Sequence, residues 1–175
     1  MGSDAKEEIH RLYELYADDI YRYARLTLND DSEANDVVQE VFFRAFKAWH
    51  SFRRDASEKT WLASIARNYI FDLIREKKIK KQFLSKYTPP YLAEEQQDIT
   101  DVMTVEDAVA QLKESYRQVF ILRHVEDLSV AETARTLGWT EAKVRVTDMR
   151  ALIKLRGQLS RGKEVRDDNE FNAQN

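Results

Sequence analysis

Apolar residues recur at three- and four-residue spacing along most of the chain, the pattern of helices that each bury one face. Ile9, Leu12, Tyr13, Tyr16, Ile20 and Tyr23 form the first stripe, which reads as packed core rather than a ligand pocket. Asn29-Asp30-Asp31-Ser32 interrupts it and offers capping side chains to a second helix. There Ala34, Val37, Val38, Val41, Phe42, Ala45, Phe46 and Trp49 make an apolar stripe without a gap. Residues 51–60 read as a polar loop, with Ser57 placed to cap a third helix whose core side carries Trp61, Leu62, Ile65, Ala66, Tyr69, Ile70 and Leu73.

The third helix runs into the basic segment Arg75–Lys81, and Pro89-Pro90 then prevents it from continuing. Residues 88–103, with Glu94, Glu95, Asp98 and Asp101, read as an acidic linker. A second apolar series follows in Val105, Ala108, Val109 and Leu112, and another in Val119, Phe120, Leu122 and Val125. Ser129-Val130-Ala131-Glu132 is a capping box, in which Ser and Glu three apart each satisfy a backbone N–H at a helix start. That short helix turns Ala131, Ala134 and Leu137 inward and ends at Gly138, a residue suited to a left-handed turn. Thr140 then caps a further helix with Val144 on its core side, and the whole reads as a helix-turn-helix.

The expected architecture is therefore all-α: a helical module over residues 4–87, the linker, and a four-helix helix-turn-helix module over 104–157. The segment 158–175, balanced in charge and poor in apolar residues, is expected to lack a fixed fold. Composition agrees, since only four glycines and two prolines occur in 175 residues. The absence of cysteine excludes disulfides, zinc fingers and thiol catalysis. No apolar run approaches the roughly 20 residues of a membrane span, and no secretory leader pattern opens the chain, so a cytoplasmic protein is the default expectation. A net charge of −3 argues against a uniformly basic coat, but DNA binding depends on where the cations sit.

Three groups of residues carry candidate chemistry. On the second helix Asp36, Gln39, Glu40, Phe43 and Lys47 share an outward strip, and Phe43 is apolar where water is expected. An isolated exposed aromatic is ordinary; on a rigid polar face it also fits a partner anchor. The third helix carries Arg67, Asn68, Phe71, Asp72, Arg75 and Lys78 opposite its core, which fits either a solvated helix end or phosphate contact. A recognition helix places its first turns in the major groove, and here they offer Glu141, Lys143, Arg145, Thr147 and Asp148, with Arg150, Lys154 and Arg156 beyond. The three histidines are scattered, and no nucleophile–base or metal spacing appears, so neither enzyme nor metal or cofactor chemistry is expected.

In this order the pieces resemble bacterial sigma factors of the extracytoplasmic-function (ECF) type. The resemblance covers about residues 8–157 and rests on Asp36–Phe46, Ser51–Arg54, Thr60–Arg75, Tyr116–Arg123, Leu128–Glu132 and Leu137-Gly138. It implies a subunit that joins core RNA polymerase and directs it to promoters without covalent chemistry. In the family the Asp-x-x-Gln-Glu helix binds the β′ clamp helices, which maps onto Asp36, Gln39, Glu40, Phe43 and Arg44. Minus-ten contacts map onto Phe52, Arg53, Trp61, Arg67, Asn68, Phe71, Arg75 and Lys78, some of which supply the stacking surface and polar groups a flipped base requires. Minus-thirty-five contacts map onto Thr140, Glu141, Lys143, Arg145, Thr147, Asp148, Arg150 and Lys154. The β flap and an inhibitory anti-sigma protein are further partners implied by the family. The recognition helix departs from the usual pattern, with Asp148 and Leu152 standing where apolar and basic residues are common. A carboxylate there repels phosphate unless it accepts from cytosine or pairs with Arg145 or Lys154. A stand-alone helix-turn-helix regulator and a sigma-like protein that binds a partner without DNA are the alternative readings.

Overall fold

The computed structural model describes residues 2–86 and 104–173, and side-chain surroundings within 4–86 and 104–160. The acidic linker expected at 88–103 lies outside the described residues. The described elements are all helical: α1 (Gly2–Leu28), α2 (Asp31–Ala48), a short 3-10 turn (Trp49–Ser51), α3 (Glu58–Ser85), α4 (Val105–Ala110), α5 (Glu114–Phe120), a π-turn (Ile121–Val125), α6 (Val130–Leu137) and α7 (Glu141–Ala173). None of these helices is long and apolar enough to cross a membrane.

Local chemistry sets the helix starts. Asp30 accepts from the Glu33 amide to open α2, and Ser57 accepts from the Thr60 amide to open α3. In the Ser129–Glu132 capping box the Glu132 amide donates to Ser129 Oγ at 3.1 Å and the Ser129 amide to Glu132 Oε2 at 2.9 Å. An equivalent box, Thr104 with Asp107, opens α4 and went unread in the sequence. Gly138 ends α6 at φ +66°, the left-handed geometry its position requires. The tail expected to lack structure is instead helical backbone, continuing α7 to Ala173. No proline interrupts that stretch, and its Glu, Lys, Arg and Gln residues are good helix formers.

Most of the apolar stripes face inward as expected. Leu12, Ile20, Tyr23, Val37, Val41, Leu62, Ala66 and Ile70 are buried in the first module; Val109, Leu112, Val119, Leu122, Leu137 and Val144 are buried in the second. Four positions differ. Tyr13, Phe46 and Val105 are exposed large apolar groups, Tyr13 meeting the Phe42 ring edge-on at 4.9 Å, and Ala131 lies on the solvent side of α6. A spacing pattern locates a face but does not fix how far the neighbouring helix covers it.

The two modules are docked, and the buried apolar residues form one continuous cluster across both. Beyond its packing on α2 and α3, α1 also touches α4, α5 and the π-turn, and α3 packs on α6. Buried polar groups register this contact. Tyr23 donates its hydroxyl to Gln118 Oε1, and burial holds that hydroxyl well above the usual phenol range. Arg117 donates to the Thr27 carbonyl at 2.9 Å. Glu126, 4% exposed, accepts from Arg22 Nε at 2.9 Å and lies 3.5 Å from Lys59 Nζ, which also pairs with Asp19.

Burial pushes the Glu126 carboxyl above its ordinary value of 4.5, against the opposing pull of Arg22. The folded chain therefore holds this proton more readily than the unfolded one. The resulting stabilisation is complete below the ordinary value and is lost as pH rises through the raised folded value. Glu126→Gln, which mimics the protonated group, should gain melting temperature relative to wild type as pH climbs from 4.5 toward neutrality. Calorimetric melts of both proteins across that range test this, and a pH-independent difference refutes it.

Candidate functional site

The candidate residues of α2 stand on one strip because positions 36, 39/40 and 43 fall at helical spacing. Asp36, Gln39 and Phe43 are exposed, Phe43 at 53%, while Glu40 and Arg44 are half-buried. Arg44 Nε donates to Glu40 Oε1 at 2.6 Å and its guanidinium lies 4.8 Å from the Tyr69 ring centre. The Lys47 ammonium sits 4.0 Å from the centre of the Phe43 ring. The strip thus combines one apolar anchor with oriented polar groups on a rigid support.

The proposed minus-ten residues separate into two aromatic groups. Phe52 stacks on Trp61 with ring centres 4.4 Å apart, and Trp49 lies 6.1 Å from Trp61. Two turns along α3, about 10 Å by helical rise, the Arg67 guanidinium covers Phe71 at 4.3 Å and donates to Asn68 Oδ1 at 3.1 Å. Beside the first group an open cleft of about 420 Å3 lies between Arg11, Phe52, Arg54 and Glu58. Arg11 reaches Glu58 at 2.7 Å and Glu8 at 2.9 Å, a clamp that spacing alone did not reveal. Arg53 is exposed, and Arg75 lies 3.7 Å from Asp72. Lys78 pairs with Glu114 of the second module at 3.1 Å, so in this arrangement its charge serves the module contact.

The loop before α3 is held by the helix-turn-helix. Glu132 Oε1, on the residue that closes the α6 capping box, also accepts from Thr60 Oγ1 at 3.2 Å and Ser57 Oγ at 3.4 Å. Arg135 Nη1 donates to the Asp55 carbonyl at 2.6 Å. The starts of α3 and α6 therefore meet. The Ser129 amide is the main reason the Glu132 carboxyl titrates below its ordinary value.

On the recognition helix α7, Thr140 caps the start by accepting from the Lys143 amide at 3.3 Å. Glu141 holds Arg145 at 2.7 Å, and Lys143 lies 3.8 Å over the Trp139 ring. Glu141, Lys143, Arg145, Arg150 and Lys154 are exposed, whereas Thr147 is half-buried. Asp148 departs from its expected place. Its side chain, 15% exposed, takes His124 at 2.7 Å and Arg123 at 3.7 Å, and it pairs with neither Arg145 nor Lys154. Its position on the helix turns it toward the core side shared with Val144 and Ala151, away from a docked duplex.

Asp148→Ala should therefore cost stability, about 1.5 kcal/mol, the low end for a hydrogen bond to a charged group, and leave the order of preference among duplexes unchanged. Urea unfolding and duplex competition measure the two effects. Unchanged stability with altered base preference would return Asp148 to the DNA face.

Two family models match the chain in series, sigma-70 region 2 over residues 12–79 and sigma-70 region 4 over residues 103–155. The chain is 30% identical to the ECF RNA polymerase sigma factor SigX of Bacillus subtilis, over 94% of this chain and 90% of that one. It is 29% identical to the RNA polymerase sigma factor YlaC of the same organism, over 91% and 96%. Its fold is similar to that of the sigma factor RpoE in complex with the anti-sigma factor NepR from Bartonella quintana, with a TM-score of 0.74, 21% identity and coverage of 88% and 98%. It is also similar to CnrH in complex with the cytosolic domain of CnrY, with a TM-score of 0.69, 23% identity and coverage of 91% and 94%. With both regions present in order and a relative matched over nearly its whole length, the chain belongs to the ECF sigma factors of the sigma-70 family.

Proposed function

We propose that this sigma factor engages core RNA polymerase through the exposed Asp36–Gln39–Phe43 strip of α2, reads the minus-ten element with the loop before α3 and the outer side of α3, and reads the minus-thirty-five element with α7. The observation that carries the reading is the α2 strip. A half-exposed phenylalanine held among polar groups on a rigid helix is the arrangement of an interface anchor, and Glu40, Arg44 and Lys47 are braced from within the first module. Core binding of this kind needs no rearrangement of the docked modules.

Promoter binding does need one. Elements ten and thirty-five base pairs upstream lie about 25 base pairs apart, about 85 Å along the duplex. A compact chain of this size has a radius of gyration near 16 Å, so it cannot touch both while its modules are docked. The 17 residues from 87 to 103 reach about 58 Å when extended, which together with the modules themselves covers the distance. The docked form, with Glu132 and Arg135 on the 55–60 segment, is thus a resting state that polymerase and promoter pull open. A protein that binds across both modules and holds them docked would act as an anti-sigma factor; RpoE of Bartonella quintana, which is similar in fold, was solved in complex with the anti-sigma factor NepR. The role requires no covalent step, since strand opening draws on binding free energy, and it places the protein where polymerase works, in the cytoplasm.

Reconstitution with core polymerase and a promoter library tests this directly. Gln39→Ala with Glu40→Ala should weaken core binding about tenfold, the loss expected if these polar groups make energetically important contacts themselves; unchanged affinity removes the assignment. Asn68→Ala should change which minus-ten sequences are opened, rather than lower opening evenly over all sequences.

A further inference from the structure

The outward side of α7 is apolar where a DNA-reading helix is expected to be polar. Ala142, Val146, Met149 and Ile153 follow one another at steps of four, three and four, which places them on a single line of the helix. All four are exposed, with Val146 at 43%, Met149 at 56% and Ile153 at 62%. At 100° per residue, Lys143 and Arg150 flank this line on one edge and Arg145 and Arg156 on the other. The two acids in the first three turns are both engaged, Glu141 by Arg145 and Asp148 by His124. An apolar strip thus meets the ligand with no free carboxylate, edged by Lys143 and Arg150 on one side and, with Arg145 shared with Glu141, by Arg156 on the other.

We infer that this strip reads thymine 5-methyl groups in the major groove, with the flanking cations on the phosphates of the two groove walls. The inference rests on the proposed placement of α7 in the minus-thirty-five groove and names what it reads there. The major-groove edge of a base pair is polar except for the thymine methyl, and apolar side chains contact that group. Val146 and Met149 sit two to three turns into the groove at most, within the part of a recognition helix that reaches base edges. Set against guanine or adenine N7 they would bury an acceptor without a partner, a loss that disfavours such pairs. The charge arrangement selects the occupant: cations along both edges suit a groove walled by phosphate on each side. Readout by Val146 and Met149 also accounts for a helix whose remaining polar residues are committed elsewhere, Thr147 half-buried and Asp148 turned to His124.

The test uses the full chain assembled with core polymerase. A duplex library randomised around the minus-thirty-five position is selected for binding, and the recovered sequence is remade with deoxyuridine at each thymine, which removes only the methyl. Wild-type holoenzyme should lose roughly fourfold in affinity per contacted methyl. Val146→Ala with Met149→Ala should bind the thymine duplex more weakly and no longer distinguish it from the uracil duplex. Equal wild-type affinity for the two duplexes overturns the inference, and this arm needs no variant to fold. If the double variant instead loses affinity for core polymerase in the absence of DNA, the strip docks protein and the inference also falls. Failure of the underlying placement looks different: selection recovers no upstream preference, and Lys143→Ala with Arg150→Ala leaves duplex binding unchanged.

Discussion

The C-terminal half of α1 is shared by both modules, and the arrangement of the rest depends on it. One side of this segment supplies Ile20, Tyr23 and Ala24 to the core. The same segment presents the Tyr23 hydroxyl, the Thr27 carbonyl and Arg22 to Gln118, Arg117 and Glu126 of the second module. These are polar contacts in a buried setting. An unpaired buried donor or acceptor is costly, so each partner fixes the register of the other. An apolar contact alone would allow the modules to slide. The Tyr23, Arg117 and Glu126 contacts allow one position.

That kind of contact also suits a junction that the proposed promoter binding would open. A seam of ionisable and hydroxylic groups can be rehydrated when the modules separate, and Glu126 in particular is held with its carboxyl pushed upward by burial. The helix-turn-helix adds a second tie at the start of α3, through Glu132 and Arg135. The loop proposed to meet the minus-ten element is therefore the loop that the docked second module holds. Meanwhile the α2 strip is braced from α2 and α3 alone, by Glu40, Arg44 and Tyr69. In the proposed function the α2 surface is available with the modules docked, and the loop before α3 only once they part, so polymerase would bind before promoter.

Much of this was legible from short stretches of sequence. Capping side chains at Ser57, Ser129 and Thr140, and the left-handed Gly138, act within four residues of where they sit, so spacing located them, while for α2 it offered residues 29–32 and the structure uses Asp30. The buried stripe from Ala34 to Ala45 was equally plain, because a continuous apolar face at helical period has few other uses. The unusual Phe43 was visible for the same reason in reverse. Asp148 was different. Sequence flagged it as an anomaly on the recognition helix and offered Arg145 and Lys154 as partners, whereas His124 and Arg123 hold it. Those residues come from the π-turn after α5, and the wider π geometry that aims them has no evident sequence mark. The Tyr13 and Phe46 exposures were missed because a stripe does not state the width of its cover.

The sequence by itself determined most of the helices, the starts of α3, α6 and α7, the two modules in order and the family to which they belong, because helix periodicity and capping are decided by neighbours a few residues apart. Only the tertiary structure decided which side chains join the modules and which face of α7 is left for a ligand. Tyr23 meets Gln118 across 95 positions and Arg22 meets Glu126 across 104. Contacts over such separations are made by packing whole helices against one another, and no local pattern records them.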